Sequence, residues 1–305
     1  MQIIKDLLQL GAEYKEVVLT LGNYDGIHLG HQEIMKRVTA KAAQIKKPAA
    51  VFTFQEHPLK LLTGQMPPLL TTLEEKFALL EKLGIDLTVC LPFTPQIAAL
   101  SAQEFIQDVI YAKLAPRWIV VGHDYAFGKN RSGNIKLLQQ WSERFGYQVE
   151  IVDAIRIDDK IVGSTLIRQT LMQGKVDETE KLLGRPYILR SQVVHGQQKG
   201  KNLAFRTANL EKQTKITPAC GVYAVRVYLR DKTYPGVANI GYQPTYGRND
   251  LQIEVHILDF QEDLYDREIE VAFIARLRDE RKFPDEKSLN QQIIQDVIQA
   301  RQILR

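Results

Sequence analysis

The sequence predicts an α/β domain followed by an all-β domain. Three observations predict it. Through the first half, short apolar runs alternate with stretches whose apolar residues recur every three or four positions, the pattern of a parallel sheet wrapped by helices. Past Gly184-Arg185-Pro186 one β-like run follows another, separated by turn residues, and an antiparallel barrel is the natural closure. A length of 305 residues suits two domains, each large enough to bury a core. The boundary is expected at 184/185, which gives domains 1–184 and 185–305.

In the first domain, Val17 to Leu21, Ala49 to Phe54, Leu87 to Leu91, Trp118 to Val121 and Gln148 to Val152 read as strands. Helices are expected over His31–Lys46, Leu73–Leu83, Ala102–Leu114 and Asn134–Phe145, with Ser101 and Glu104 forming a capping box. A short helix opens at Ser164, the expected N-cap, and runs to Met172; Gly174 ends it. Another spans the residues before Gly184. In the second domain, Ile188 to Val194, Gly221 to Arg230, Thr233 to Ile240, Leu251 to Leu258 and Glu268 to Ile274 read as strands. Val225, Val227 and Leu229 alternate there with Arg226, Tyr228 and Arg230, as in a half-buried strand. A last helix, Ser288 to Leu304, carries one apolar face that should pack on the barrel.

Composition excludes several classes. No apolar run approaches the roughly 20 residues of a membrane helix, and the charged N-terminus does not read as a secretory signal. Cys90 and Cys220 are too far apart in sequence and context to suggest a disulfide framework or metal site. The cytoplasm is therefore expected, with no membrane partner. A net charge of +4 is too mild for a nucleic-acid binder. The basic excess gathers at 190–215 among glycines, which suits small anionic ligands. A monomer or transient oligomer is expected.

The chemistry begins at Gly22-Asn23-Tyr24-Asp25-Gly26-Ile27-His28-Leu29-Gly30-His31, a glycine-rich turn between a strand and a helix. Such a turn aims N–H groups and a positive dipole end at a phosphate. His28 and His31, three residues apart, fall on one side of the first helical turn and can stabilise charge growing on a phosphoryl group. Gly30 leaves room between them for a nucleotide. A metal site lacks a nearby third ligand; a solvated helix cap is the plain alternative. At later strand ends stand Phe54, with His57 close by, and Asp124, which suits a ribose or a magnesium-bound nucleotide, or else bonds its own turn. Ser164, Thr165 and Arg168 form a candidate triphosphate clamp. In the second domain, Gly196, Lys199, Gly200 and Lys201 suit a phosphate loop. Thr207 and Asn209 offer oxygen ligands to Mg²⁺. Glu254, mid-strand, suits a general base for a substrate hydroxyl or is a solvated strand residue.

The order of these motifs resembles the bacterial bifunctional riboflavin kinase/FAD synthetases, whose first domain belongs to the Rossmann-like nucleotidylyltransferases. Gly22 to His31 matches that family's Gly-x-x-Asp-Gly-x-His-x-Gly-His. Phe54-Gln55-Glu56-His57-Pro58 resembles its Phe-x-Pro-His-Pro, and Gly122-His123-Asp124-Tyr125-Ala126-Phe127-Gly128 its Gly-x-Asp-Phe-x-Phe-Gly. Gly163-Ser164-Thr165-Leu166-Ile167-Arg168 resembles Ser-Ser-Thr-x-Ile-Arg, with Gly163 for the first serine. Thr207-Ala208-Asn209, Gly236 to Gly241, Glu254 to Phe260 and Leu277 to Phe283 resemble the riboflavin-kinase module. Ala204, Arg206 and Asp266 depart from it.

The resemblance implies ATP as co-substrate, Mg²⁺, and riboflavin, FMN and FAD as substrates and products. It implies His28, His31, Arg168 and Glu254 as catalytic residues. Gly22, Asp25, Gly30, Phe54, Asp124, Phe127, Ser164 and Thr165 would bind nucleotide or flavin in the first domain. Gly196, Lys199, Gly200, Lys201, Arg206, Thr207, Asn209 and Arg278 would do so in the second, with Thr207 and Asn209 on the metal. Two other readings stand beside it. One is an FMN adenylyltransferase with a silent barrel. The other is an RNA-associated class I synthetase-like protein, for which no Lys-Met-Ser-Lys-Ser segment is present.

Overall fold

The computed structural model describes residues 1–194, 207–211, 213–245 and 248–305, without the side chains of 12, 243–245 and 248–250. The chain divides into two compact units, Met1–Ser164 and Thr165–Arg305.

The first unit is built on six parallel strands: β1 Gln2–Ile4, β2 Val18–Leu21, β3 Ala49–Phe54, β4 Leu87–Leu91, β5 Trp118–Gly122 and β6 Gln148–Val152. Their order is β1-β4-β3-β2-β5-β6. β2, β3 and β4 are buried along almost their whole length, which is why they read as unbroken apolar runs. From β2 the chain builds outward to β3 and β4, then returns to lay β5 on the other side of β2. The strand order therefore switches between β2 and β5, where open α/β sheets bind ligands at the carboxyl ends.

α1 (Leu29–Ile45), α2 (Leu73–Lys82) and α3 (Ile135–Phe145) occur as expected. The capping box at Ser101 and Glu104 is present. Beyond it, Phe105–Tyr111 winds in wider i→i+5 turns before Ala112–Leu114 returns to α geometry. This brings Phe105, Ile106, Val109 and Ile110 together into the core, which an α-helical reading of 102–114 did not anticipate.

The second unit begins with α4 (Ser164–Met172, its first residue aside) and α5 (Val176–Leu183). The buried hydroxyls of Thr170 and Thr179 lie 2.7 Å apart and tie the two helices. α4 also accepts the Ala219 N–H at its Leu171 carbonyl. The strands β7 (Tyr187–Val194), β8 (Ala208–Leu210), β9 (Gly221–Leu229), β10 (Lys232–Thr245), β11 (Arg248–Ile257) and β12 (Glu268–Arg278) close an antiparallel barrel in the order β7-β8-β11-β10-β9-β12. Tyr223, Val225, Val227, Val255, Val271 and Phe273 are fully buried. α6 (Glu286–Ile303) lies against the outside of β9 and β10, where Val222, Ala224, Val237 and Ala300 form a small core with Val297.

Candidate active sites

In the first unit the site begins where β2 ends. A Cβ on Gly22 would lie 2.7 Å from Cζ of Tyr24, so the turn needs glycine there. The Tyr24 ring is buried with its hydroxyl 2.6 Å from Oγ1 of Thr20, and burial pushes its ionisation up. Tyr24, Gly26 and Ile27 take φ values of 52°, 84° and 38°, costly for the two that are not glycine.

Hydrogen bonds hold this turn. The Asp25 carboxylate accepts the N–H groups of Leu70 (3.1 and 3.2 Å) and Thr71 (3.1 Å) and the Thr71 hydroxyl (3.2 Å). The Gly26 N–H donates back to that hydroxyl at 3.1 Å. Asp25 is 4% exposed, and through these bonds it organises the turn.

His28 is the N-cap of α1, its Nδ1 accepting the His31 N–H at 3.4 Å. In the neutral ring the proton therefore sits on Nε2. The two imidazoles stack with centroids 3.6 Å apart and planes 21° from parallel, on one side of the turn as their spacing predicted. Tyr24 meets His31 edge-on at 5.1 Å. Nδ1 of His31 is buried without a hydrogen-bond partner among the described residues. Burial, then the positive charges of His28 and Lys76, hold this imidazole well below the ordinary histidine range. A Cβ on Gly30 would lie 3.2 Å from the His28 ring. A side chain at Gly30 would therefore press on the His28 imidazole.

Ser164 opens α4, but its hydroxyl donates to the Asp25 carbonyl at 2.9 Å. It anchors the turn and does not accept a helix N–H, as an N-cap would. Thr165 is exposed and Arg168 half-buried on α4. Asp124 is exposed just past β5, at the switch point. Phe54 is half-buried, edge-on to Phe52 and Phe93. Phe127 is 8% exposed and packs with Phe105 and Tyr125. His57 accepts the Leu59 N–H at 3.2 Å and caps a short helix.

In the barrel, Asn209, Glu254 and Asn239 are direct cross-strand partners on β8, β11 and β10. Buried Ile253 and Val255 flank Glu254, so alternation turns this polar row to the outer face. All three are half-buried, and Thr207 just before β8 is exposed. Asn239 sits opposite Val222 at the edge of the α6 contact. Its place in the row was not expected from the sequence, where it lies inside an apolar run.

Arg278 is engaged elsewhere. Its Nε donates to both oxygens of Asp296 at 3.0 Å and its Nη2 to one at 2.8 Å, with Asp296 only 3% exposed. It pins α6 to the barrel. Beside it a cavity of about 740 Å³ is lined by Arg281, Phe283, Ser288, Gln292 and Gln295 among others, a size that suits a small-molecule ligand. Gly196, Lys199, Gly200, Lys201 and Arg206 lie outside the described residues. Thr207 and Asn209 are hard oxygen donors, which fit Mg²⁺ carried by a nucleotide's phosphates; among the described residues no cluster of three His, Cys, Asp or Glu could hold a metal alone.

The chain is similar to known proteins along its whole length. The family model described as FAD synthetase matches residues 11–166, and that described as riboflavin kinase matches 183–304. A bifunctional riboflavin kinase/FMN adenylyltransferase of Pseudomonas fluorescens is 36% identical over 302 residues, covering 99% of this chain and 97% of that protein. That of Escherichia coli strain K12 is 36% identical over 305 residues with the same coverage. A solved structure from Streptococcus pneumoniae, named there a macrolide-efflux protein, is 32% identical, covers 98% of both chains and superposes with a TM-score of 0.90. Among the described residues no helix is long and apolar enough to cross a membrane. By two family matches in succession and by full-length relatives, this chain belongs to the bifunctional riboflavin kinase/FMN adenylyltransferase family.

Proposed function

We propose that this chain makes FAD in two steps, each with its own ATP. Residues 185–305 transfer the γ-phosphate of ATP to riboflavin, and residues 1–184 join FMN to the AMP moiety of a second ATP. The observation that carries the reading is the succession of the two family matches over two separately folded units. Full-length relatives named for both activities favour it over a barrel with no kinase activity and over an RNA-associated protein.

In the barrel, Glu254 takes the proton of the ribityl 5′-hydroxyl as its oxygen attacks the γ-phosphorus and ADP leaves. Asn209 and Asn239, directly across the neighbouring strands, orient that carboxylate and the groups it meets. Catalysis there is mostly positioning and charge neutralisation. Thr207 and Asn209 would hold Mg²⁺, which supplies charge neutralisation on the phosphates.

In the first unit, an oxygen of the FMN phosphate attacks the α-phosphorus of ATP, and the bond to the β-phosphate breaks to release pyrophosphate. His28 and His31 at the start of α1 donate to the charge that grows on the phosphoryl oxygens, helped by the helix dipole. Asp124 keeps the nucleotide-orienting role that its motif implies. We assign the protein to the cytoplasm.

Incubation with riboflavin, ATP and Mg²⁺, followed by chromatography, tests the reading. FMN and then FAD should appear, and FMN with ATP alone should give FAD and pyrophosphate. FAD from FMN without any FMN from riboflavin would leave an adenylyltransferase with a silent barrel.

A further inference from the structure

Lys76 lies on the core face of α2, one turn before Leu80, and the two are 5% and 0% exposed. A lysine is seldom buried this far without a task for its charge. Its ammonium donates to the Asn23 carbonyl at 2.7 Å. Leu70 and Thr71, just upstream, hold Asp25 and Gly26. Thr72 caps α2 through a capping box with Glu75. Residues 70–76 thus grip residues 23–26, and the His28–His31 pair follows directly in the chain.

We propose that Lys76 is a positioning residue of the adenylyl-transfer site, pinning the Asn23 carbonyl and setting the electrostatic field in which His31 works. The inference rests on the reading of His31 given above. His28 is stacked on the face of His31 and Tyr24 meets it edge-on, while the Lys76 ammonium is fixed on the Asn23 carbonyl of the same turn. Asp25 of the turn and Cys90 of β4 act on Lys76 in turn: burial lowers the lysine's pKa, while these two groups favour its charged form. Burial first, then the charge of His28 and the fixed ammonium of Lys76, disfavour the protonated form of His31 in the free protein. An arriving polyphosphate reverses that field, and His31 gains a proton where the negative charge is greatest.

Three variants of the full chain test this: Lys76→Met, Lys76→Arg and His31→Ala. FAD formation from FMN, FMN formation from riboflavin and thermal melting are read for each, and the NMR titration of the His31 imidazole for wild type and the two Lys76 variants. Lys76→Met should lower adenylylation by roughly 10²-fold, the scale of a small misplacement of reacting groups, and leave riboflavin phosphorylation near wild type. In it His31 should titrate at higher pH than in wild type. Lys76→Arg, which keeps the charge, should keep the wild-type titration and recover part of the rate. An unmoved His31 titration in Lys76→Met, or unaltered adenylylation, overturns the proposal. Should Lys76→Met lose its cooperative melt, Lys76→Gln carries the same readings. Full activity in His31→Ala would instead overturn the reading of the histidine pair, a failure distinct from that of Lys76.

Discussion

His28 and His31 stack at 3.6 Å, and the backbone N–H of His31 points at Nδ1 of His28. Two imidazoles this close resist carrying two charges at once. The pair therefore offers its ring N–H groups, with at most one extra proton, to a phosphoryl group. Replacing either with alanine removes one donor and should lower FAD formation from FMN by roughly 10²–10³-fold. FMN formation from riboflavin, a task of the other unit, should persist. Parallel loss of both steps in a folded variant would refute the two-site assignment.

The same burial has a cost in acid. The folded-state pKa of His31 lies below its ordinary value of 6.5, with desolvation the largest cause. The unfolded chain then binds the extra proton first as pH falls. The stability that goes with neutral His31 is present above about pH 6.5 and is lost as pH falls through the folded-state value. Melting temperature measured against pH should drop below that point more steeply in wild type than in His31→Gln. Equal slopes would mean that His31 takes no part in acid sensitivity.

Much of this was legible in the sequence because periodicity and turn chemistry are local. β2 and α1 announced themselves by an apolar run, a glycine turn and helical spacing, and their meeting at the switch point followed. Asp25, Phe127 and Arg278 were read from motif resemblance as ligand contacts. Their partners Thr71, Phe105 and Asp296 lie 46, 22 and 18 residues away, and no local pattern reports such distant pairings. Ser164 was misread for the same reason, since its acceptor is the Asp25 carbonyl. Lys76 did leave a trace: a lysine four residues before Leu80 interrupts the apolar face of its helix. Asn239 left none, because its role depends on the register that sets it opposite Glu254.

Glu254 lies between Asn209 and Asn239 in that register. Glu254→Gln keeps the shape and hydrogen-bonding reach of the side chain but cannot take a proton. Riboflavin phosphorylation should fall by roughly 10²–10⁴-fold, while adenylylation of supplied FMN continues. A kinase rate equal to wild type would reduce Glu254 to a strand residue on the outer face.

The Arg278–Asp296 pair makes the opposite kind of demand, on stability first. Asp296 is 3% exposed and Arg278 19%, and Gln292 adds a hydrogen bond to the carboxylate at 2.8 Å. Removing one partner of a buried pair leaves a charge unmatched, which costs about 3–5 kcal/mol; the partial exposure of Arg278 points to the lower end. Asp296→Ala should therefore lower the urea midpoint of the barrel clearly. The surface pair Arg301–Asp259, 45% and 65% exposed, is the control. Asp259→Ala, at an exposed pair screened by solvent, should leave the urea midpoint nearly unchanged. Replacing both buried partners with Arg278→Met and Asp296→Leu should be milder than Asp296→Ala alone, because no charge is then stranded. The comparison also decides what Arg278 does for the reaction. If it only fastens α6, the double variant, once folded, should bind ATP with near wild-type affinity in the kinase step. A large rise in the KM for ATP at wild-type stability would return Arg278 to the nucleotide site.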